Sequence, residues 1–245
     1  MIHLSRFLIG IRHKRIFRFK SFSGQLIDEC INDCEDEFNK VSDSNPDESI
    51  LLNEKETLSV RFNRDDFILE SLKIFDRDLR EYKEINKNKL VDLAEKLLPI
   101  HTRVLNLKYD YSRIGMIFDF KIPVWENLED NDITKFIFDK FINFSTEHQK
   151  KEGAVRFVYR IKIPGGGAVN KLKDFKNVII NLEQGQGIDE DGKIDKCLSV
   201  IVDMQHIYDP WKDKISVKEH FEFCLKHLSS DIFPQFKSKG VEIVL

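Results

Sequence analysis

Residues 116–122, MIFDFKI, alternate apolar side chains with other residues and so place Met116, Phe118, Phe120 and Ile122 on one face of an extended chain. Such alternation predicts a β-strand with one buried face. The stretches 154–163, 177–183 and 197–208 are similarly rich in aliphatic and aromatic residues and are predicted as strands. A strand is also predicted over 103–111, which starts the same run.

Helices are predicted on both sides of these later strands. Residues 134–144 have a helical pattern, and 217–236 form a longer helix with Phe221, Leu225 and Leu228 on its apolar side. Ser216 and Glu219 have the spacing of a capping box at the start of this last helix.

The first part of the chain shows the same order of elements. Residues 4–20 alternate as a strand or hairpin, and 23–40 follow a helical period with Ser23 as the expected N-cap. Three short strands are predicted next, at 49–52, 58–62 and 67–74, with a turn over 63–66. A helix then covers 78–98, and Pro99 is expected to end it.

This repeated order predicts an α+β fold made of two tandem β-α-β-β-β-α units, residues 1–99 and 100–245, joined at 99–102 and packed as one body. Each unit is expected to form an antiparallel sheet with its helices packed on one face. The repetition indicates duplication and fusion.

Composition is that of a globular protein. The 245 residues are 41% hydrophobic and 33% charged, and 20 of them are Phe. No apolar run approaches the roughly 18–20 residues that span a bilayer, and the first residues lack a signal-peptide pattern. The four cysteines form no CxxC pair, so buried reduced thiols and a cytoplasmic location without membrane association are expected.

Several short motifs resemble ligand sites but lack essential parts. The Pro-Gly-Gly-Gly stretch 164–167 has no following Lys-Ser/Thr pair, and the acidic stretch 189–192 fits a hairpin turn at Asp191-Gly192 better than a calcium loop. Cys30 and Cys34 lie on the apolar side of a helix, and the triplet 81–83 is placed on a helix rather than on a nuclease strand. No catalytic residue, metal site or cofactor is therefore predicted.

Basic residues are the best candidates for a binding site. Residues 1–27 contain no Asp or Glu, whereas residues 28–56 are strongly acidic. The candidates for contact with nucleic acid or an acidic partner are Arg12, Lys14, Arg15, Arg18, Lys20, Arg156, Arg160 and Lys162. Two simpler alternatives stay open. The basic residues between 12 and 20 pair with Glu35, Asp36 and Glu37, and the basic residues between 156 and 162 are charges in contact with water only.

The second half resembles a sporadically distributed family of uncharacterised prokaryotic proteins. The similarity lies in LNLKYDYSRIGMIFDFKIP (105–123), AVRFVYRIKIP (154–164), NVIINLEQGQ (177–186), LSVIVDMQHIY (198–208) and the helix 217–236. The family's proline-rich opening is absent, and its GLRYxN strand is represented only by 106–111. The resemblance implies no known activity; patchy distribution associates such proteins with mobile or defence-related genes.

Three functions follow from these observations. We expect first a non-enzymatic binding or adaptor protein with a protein partner, and we consider it a candidate component of a prokaryotic defence or mobile-element system. Direct nucleic-acid binding through the basic residues is the second hypothesis, and an enzyme with a dispersed active site is the third. The oligomeric state is left open.

Overall fold

The computed structural model describes residues 3–45, 47–55, 57–73, 75–76, 81–82, 84–108, 110–123, 136–142, 154–162, 174–188, 194–241 and 243. The predicted motifs at 164–167 and 189–192 lie outside these residues.

The fold is α+β, and the described residues form one nine-stranded antiparallel sheet at its centre. Its strands are β1 (His3–His13), β2 (Lys40–Asn45), β3 (Glu48–Asn53), β4 (Leu58–Asn63), β5 (Asp66–Leu72), β8 (Tyr111–Pro123), β9 (Ala154–Lys162), β10 (Asp174–Ile188) and β11 (Ile194–Lys212). Their order across the sheet is β2-β3-β4-β5-β1-β8-β11-β10-β9. A separate two-stranded pair is formed by β6 (Phe75–Asp76) and β7 (Glu81–Tyr82).

The helices are α1 (Phe19–Asp33), α2 (Lys87–Val104), α3 (Val217–His227) and α4 (Phe233–Ser238). A π-helical turn, Leu228–Ile232, joins α3 to α4, and another covers Phe138–Ile142. Because Pro234 lacks an amide hydrogen and crowds the preceding turn, the wider π turn before it lets the chain continue as a helix.

Alternation along the strands divides the sheet into two faces. Phe7, Ile9 and Ile11 of β1 are buried, and their cross-strand neighbours in β8 include Phe118, in ring contact with Phe7 at 4.9 Å. The helices pack against this face, where Phe221 of α3 contacts Phe7 at 5.8 Å. We call it the helix face, and the opposite one the second face.

The predicted separate sheets are not observed, because β1 and β8 pair along most of their length and join both halves of the chain into one sheet. The predicted strands at 49–52, 58–62, 116–122, 177–183 and 197–208 all lie within observed strands. The last helix is confirmed, and Ser216 accepts the amide of Glu219 at 3.1 Å. The helix predicted at 134–144 is helical over 136–142.

The prediction that Pro99 ends a helix is wrong. Helix α2 begins after Asn86, whose side chain accepts the Lys89 amide at 3.0 Å, and it continues through Pro99 to Val104. Burial of Ile100 and Val104 offsets the roughly 3 kcal/mol that an interior proline costs. The boundary expected at 99/100 therefore falls inside this helix, and Glu81–Tyr82 lie in a short strand instead of on a helix.

Two further local predictions are wrong. Helix α1 starts at Phe19, so Ser23 lies inside it and its hydroxyl donates to the Lys20 carbonyl instead of capping. Over the strand predicted at 103–111, the described residues form the end of α2, a turn in which Asn106 has a positive φ of 52°, and the first residue of β8, Tyr111. Leu105 and Leu107 are buried by this turn, which produces the same alternation as a strand.

The four cysteines are free and buried, as predicted. No helix among the described residues has the length and apolar character needed to cross a membrane.

Candidate functional site

The basic segment, residues 12–20, connects the end of β1 to the start of α1. Two backbone hydrogen bonds fix its course: the Lys14 amide donates to the Asp110 carbonyl and the Ile16 amide to the Arg64 carbonyl, both at 2.8 Å. The segment is thereby held between two neighbouring connections, and its side chains are presented from an ordered backbone.

Two of its arginines have carboxylate partners. Arg12 Nε lies 3.0 Å from a carboxylate oxygen of Asp66, and a guanidinium nitrogen of Arg15 lies 4.0 Å from a carboxylate oxygen of Asp65. The Asp66 hydrogen bond raises the pKa of Arg12. Asp65 lies in the turn between β4 and β5, and Asp66 is the first residue of β5, whereas Glu37 of the acidic stretch contacts Lys89 at 2.9 Å. The arginines are thus paired, but with a different acidic group from the one considered in the sequence.

The other three basic residues of the segment differ from these two arginines. Lys14, Arg18 and Lys20 are exposed, and none forms an ion pair with a residue that the structure describes. Phe17 lies among them with 80% of its surface exposed. The segment thus presents one exposed aromatic ring that is flanked in the sequence by cations without an ion-pair partner among the described residues.

The start of α1 adds to the positive potential. Arg18 is its N-cap residue and makes no side-chain capping hydrogen bond, and the first turn contains no acidic residue. A helix N-terminus carries partial positive charge, which Asp or Glu normally offsets. Here Lys20 occupies the first turn instead, so helix and side chains have the same sign.

Strand register continues the segment as a row of basic and apolar residues across the sheet. On the second face Arg12 lies opposite Arg113 of β8, which lies opposite Ile207 of β11. Phe175 of β10 is the next residue in this row, and the position opposite it in β9 is Lys162, whose side chain lies outside the described part of the chain. The row spans four strand spacings, about 19 Å.

The residues predicted on β9 lie at the far side of the same face. The Arg160 guanidinium lies 4.5 Å from the centre of the Phe175 ring, a cation–π contact. Arg156 is farther along the strand, opposite Asn181. Arg12 and Arg160 thus share one face and one end of the sheet, whereas Arg156 does not reach that end.

Arg113 and Phe175 were not predicted as site residues. Nothing in the local sequence distinguishes them, because they join the row only through the pairing of strands far apart in the chain.

A cleft of about 650 Å³ opens at the same end of the sheet. Its wall includes Arg103, Lys108 and Lys214, and inside it the Thr102 and Tyr111 hydroxyls are 2.6 Å apart. Because Tyr111 pairs with His13, the cleft lies close to the basic segment. Burial raises the pKa of Tyr111 to about 12, so its hydroxyl stays neutral and acts as a hydrogen-bonding group.

The described residues bring together no group of three or more His, Cys, Asp or Glu that could hold a metal ion. Cys30 and Cys34 are buried in the core, and burial raises the pKa of both thiols. His220 and His227 lie on either side of the Phe223 ring, which contacts both.

No protein-family model matches the chain, and neither does any curated protein. The resemblance to a sporadically distributed prokaryotic family therefore stays a prediction.

Proposed function

We propose that this protein is a non-enzymatic binding protein whose basic segment holds a single-stranded nucleic acid. The observation that carries the proposal is the exposed Phe17 between Arg18 and Lys14, cations without an ion-pair partner in the described chain. Proteins that bind single strands combine basic side chains along the phosphate backbone with aromatic rings on which bases stack.

The surrounding charges support the same proposal. Asp66 neutralises Arg12, but Lys14, Arg18 and Lys20 have no ion-pair partner among the described residues, and Arg18 and Lys20 lie at the positive end of α1. The row across the second face continues with Arg113 and Phe175, which offers a strand of nucleic acid a second stretch of contact. The whole chain has a formal net charge of -3, so the positive charge of the basic segment is local. A local positive charge on a weakly acidic protein orients an anionic partner toward that segment.

The test is fluorescence anisotropy with a labelled oligothymidylate, its duplex form and polyglutamate. The triple variant Lys14→Gln, Arg18→Gln, Lys20→Gln should weaken single-strand binding and reduce the slope of log K against log salt by up to about 2, because each lost phosphate contact contributes about 0.7. The control triple Lys218→Gln, Lys226→Gln, Lys239→Gln removes the same charge from exposed positions in α3 and directly after α4 and should leave binding unchanged.

Phe17→Ala separates stacking from charge. Loss of the ring should weaken binding by about 1–3 kcal/mol and leave the salt slope unchanged. Absence of oligothymidylate binding near 0.1 M salt would rule the proposal out. Equal losses in both triples would show that only net charge matters, and selective binding of polyglutamate would instead favour the adaptor hypothesis with an acidic protein partner.

We also propose that the two halves arose by duplication. In each half the first strand lies at the centre of the nine-stranded sheet and pairs with the last strand which that half contributes to this sheet, β1 with β5 and β8 with β11. The remaining strands follow outward in reverse chain order on both sides. Superposition should match β1 with β8, β5 with β11 and α2 with α3; a match that requires a different strand order would contradict duplication.

A further inference from the structure

Strand β9 forms one edge of the sheet, and β10 is the only strand in the described chain that pairs with it. Three consecutive residues of β9 expose large apolar side chains: Phe157 by 42%, Val158 by 57% and Tyr159 by 36%. An apolar edge strand whose outer side pairs with no strand in the described chain is a template for another strand. This edge is separate from the basic segment of the proposed function.

The helix side of β9 is held in place. The Tyr159 hydroxyl lies 2.8 Å from Nε2 of His227, whose Nδ1 is 2.7 Å from an Asp231 oxygen. This chain of hydrogen bonds ties the strand to the end of α3 and to the π turn. The edge is thus preorganised, and a partner strand does not have to order it.

The second face of β9 determines the charge of the partner. Arg156 and Arg160 are both exposed, and Val158 lies between them on the same face. An incoming strand that spans these positions meets a cation, an aliphatic side chain and a second cation in alternate positions. Carboxylates at the two outer positions complement this pattern, since opposite charges across strands are stabilising.

A second copy of this chain fits the edge poorly. The antiparallel register that pairs the whole of Ala154–Lys162 with itself is centred on Val158. It places Arg156 of one copy opposite Arg160 of the other, at both ends of the pair. Like charges directly opposite each other destabilise a strand pair.

We propose that β9 binds an extended acidic segment of another protein by strand addition, with carboxylates opposite Arg156 and Arg160 and apolar residues between them. The main-chain hydrogen bonds supply affinity, and the alternate side chains supply specificity. On the helix face, the apolar residues of the segment pack against Phe157 and Tyr159.

The experiment titrates the full chain with two labelled peptides, Thr-Glu-Val-Ile-Val-Glu-Thr and the same peptide with Lys in place of Glu. The acidic peptide should bind at least about tenfold more tightly than the basic one, because like-charge contacts are costly at an interface. Arg156→Gln should weaken binding of the acidic peptide. The double variant Arg156→Glu, Arg160→Glu should bind the basic peptide more tightly than the acidic one. Arg61→Gln removes an arginine from β4, which lies near the other edge of the sheet, and should change the affinity for neither peptide.

Equal binding of the two peptides, or binding of neither, would overturn the proposal. So would a dimer seen by analytical ultracentrifugation that Arg156→Glu strengthens, since the edge would then belong to a second copy. If the variants at Arg156 and Arg160 lose peptide binding but still bind oligothymidylate, the edge of β9 and the basic segment are separate sites.

Discussion

The imidazole rings of His13 and His101 lie 4.9 Å apart between β1 and α2, and both are buried. Neither ring nitrogen of His101 has a hydrogen-bond partner among the described residues, nor has Nε2 of His13. Burial lowers the pKa of both histidines, and for His101 it does so strongly. The fold therefore holds two neutral imidazoles in a region where protonation is unfavourable.

Acid should destabilise the protein through this pair. Because the folded-state pKa values lie below the unfolded value of about 6.5, the full stability is present above that pH and falls as the pH decreases below it. Each histidine contributes a slope of up to about 1.4 kcal/mol per pH unit. Urea unfolding at several pH values between 7.5 and 5 measures the effect.

His101→Phe should reduce this slope and preserve stability at neutral pH. The ring lies 5.8 Å from Phe62 and 5.6 Å from Phe67, so an apolar ring suits its surroundings and removes two buried polar atoms without partners. An unchanged slope in the variant would show that other groups cause the acid sensitivity.

Asp119 and Ser199 form a buried hydrogen bond on the second face of the sheet, and its contribution to stability can be measured. The Ser199 hydroxyl donates to the Asp119 carboxylate at 2.9 Å, and both residues are buried. Burial raises the pKa of Asp119, and this hydrogen bond opposes the rise. Ser199→Ala should therefore cost about 1.5–3 kcal/mol at pH 7, as expected for a hydrogen bond to a charged group.

The same change should cost only about 0.5–1.5 kcal/mol in an Asp119→Asn background, where the acceptor is neutral. A double-mutant cycle by urea unfolding gives the difference. Identical costs in the two backgrounds would mean that the carboxylate charge contributes nothing to the pair.

Local sequence patterns predicted most strands and the last helix because burial of one face imposes a period that is visible in short windows. They failed where a turn imitates a strand, as at Leu105 and Leu107, and where buried side chains carry a helix through Pro99. Neither case can be recognised without knowing which residues pack together.

The candidate site was predicted in part for the same reason. The clustering of Lys14, Arg18 and Lys20 is a property of one segment, so the sequence shows it directly. That Arg12 pairs with Asp66, and that Arg113 and Phe175 continue the row, depends on strand register between distant segments. The clustered basic residues predicted an anionic partner, but the sequence did not show across which face of the sheet such a partner would extend.

Capping of α2 gives a test of a corrected helix boundary. Asn86→Ala should destabilise the protein by about 0.5–2 kcal/mol, because it removes the acceptor of the Lys89 amide. Ser23→Ala should change stability by no more than about 0.5 kcal/mol, since Ser23 lies inside α1 and caps nothing. Thermal or urea unfolding of both variants compares them, and a larger loss for Ser23→Ala would contradict the observed start of α1.

The last helix offers a test of how its apolar side is packed. The sequence predicted Phe221, Leu225 and Leu228 as buried; Phe221 and Leu228 are, at 4% and 0% exposure, whereas Leu225 is only half-buried against the core. Leu228→Ala should cost about 2–5 kcal/mol, because the surrounding side chains cannot fill the cavity completely. Leu225→Ala should cost less than half as much, since part of its surface is already in water. Equal losses in urea unfolding would show that both leucines are enclosed to the same degree, and a loss below about 0.5 kcal/mol for Leu228→Ala would show that the π turn does not face the core.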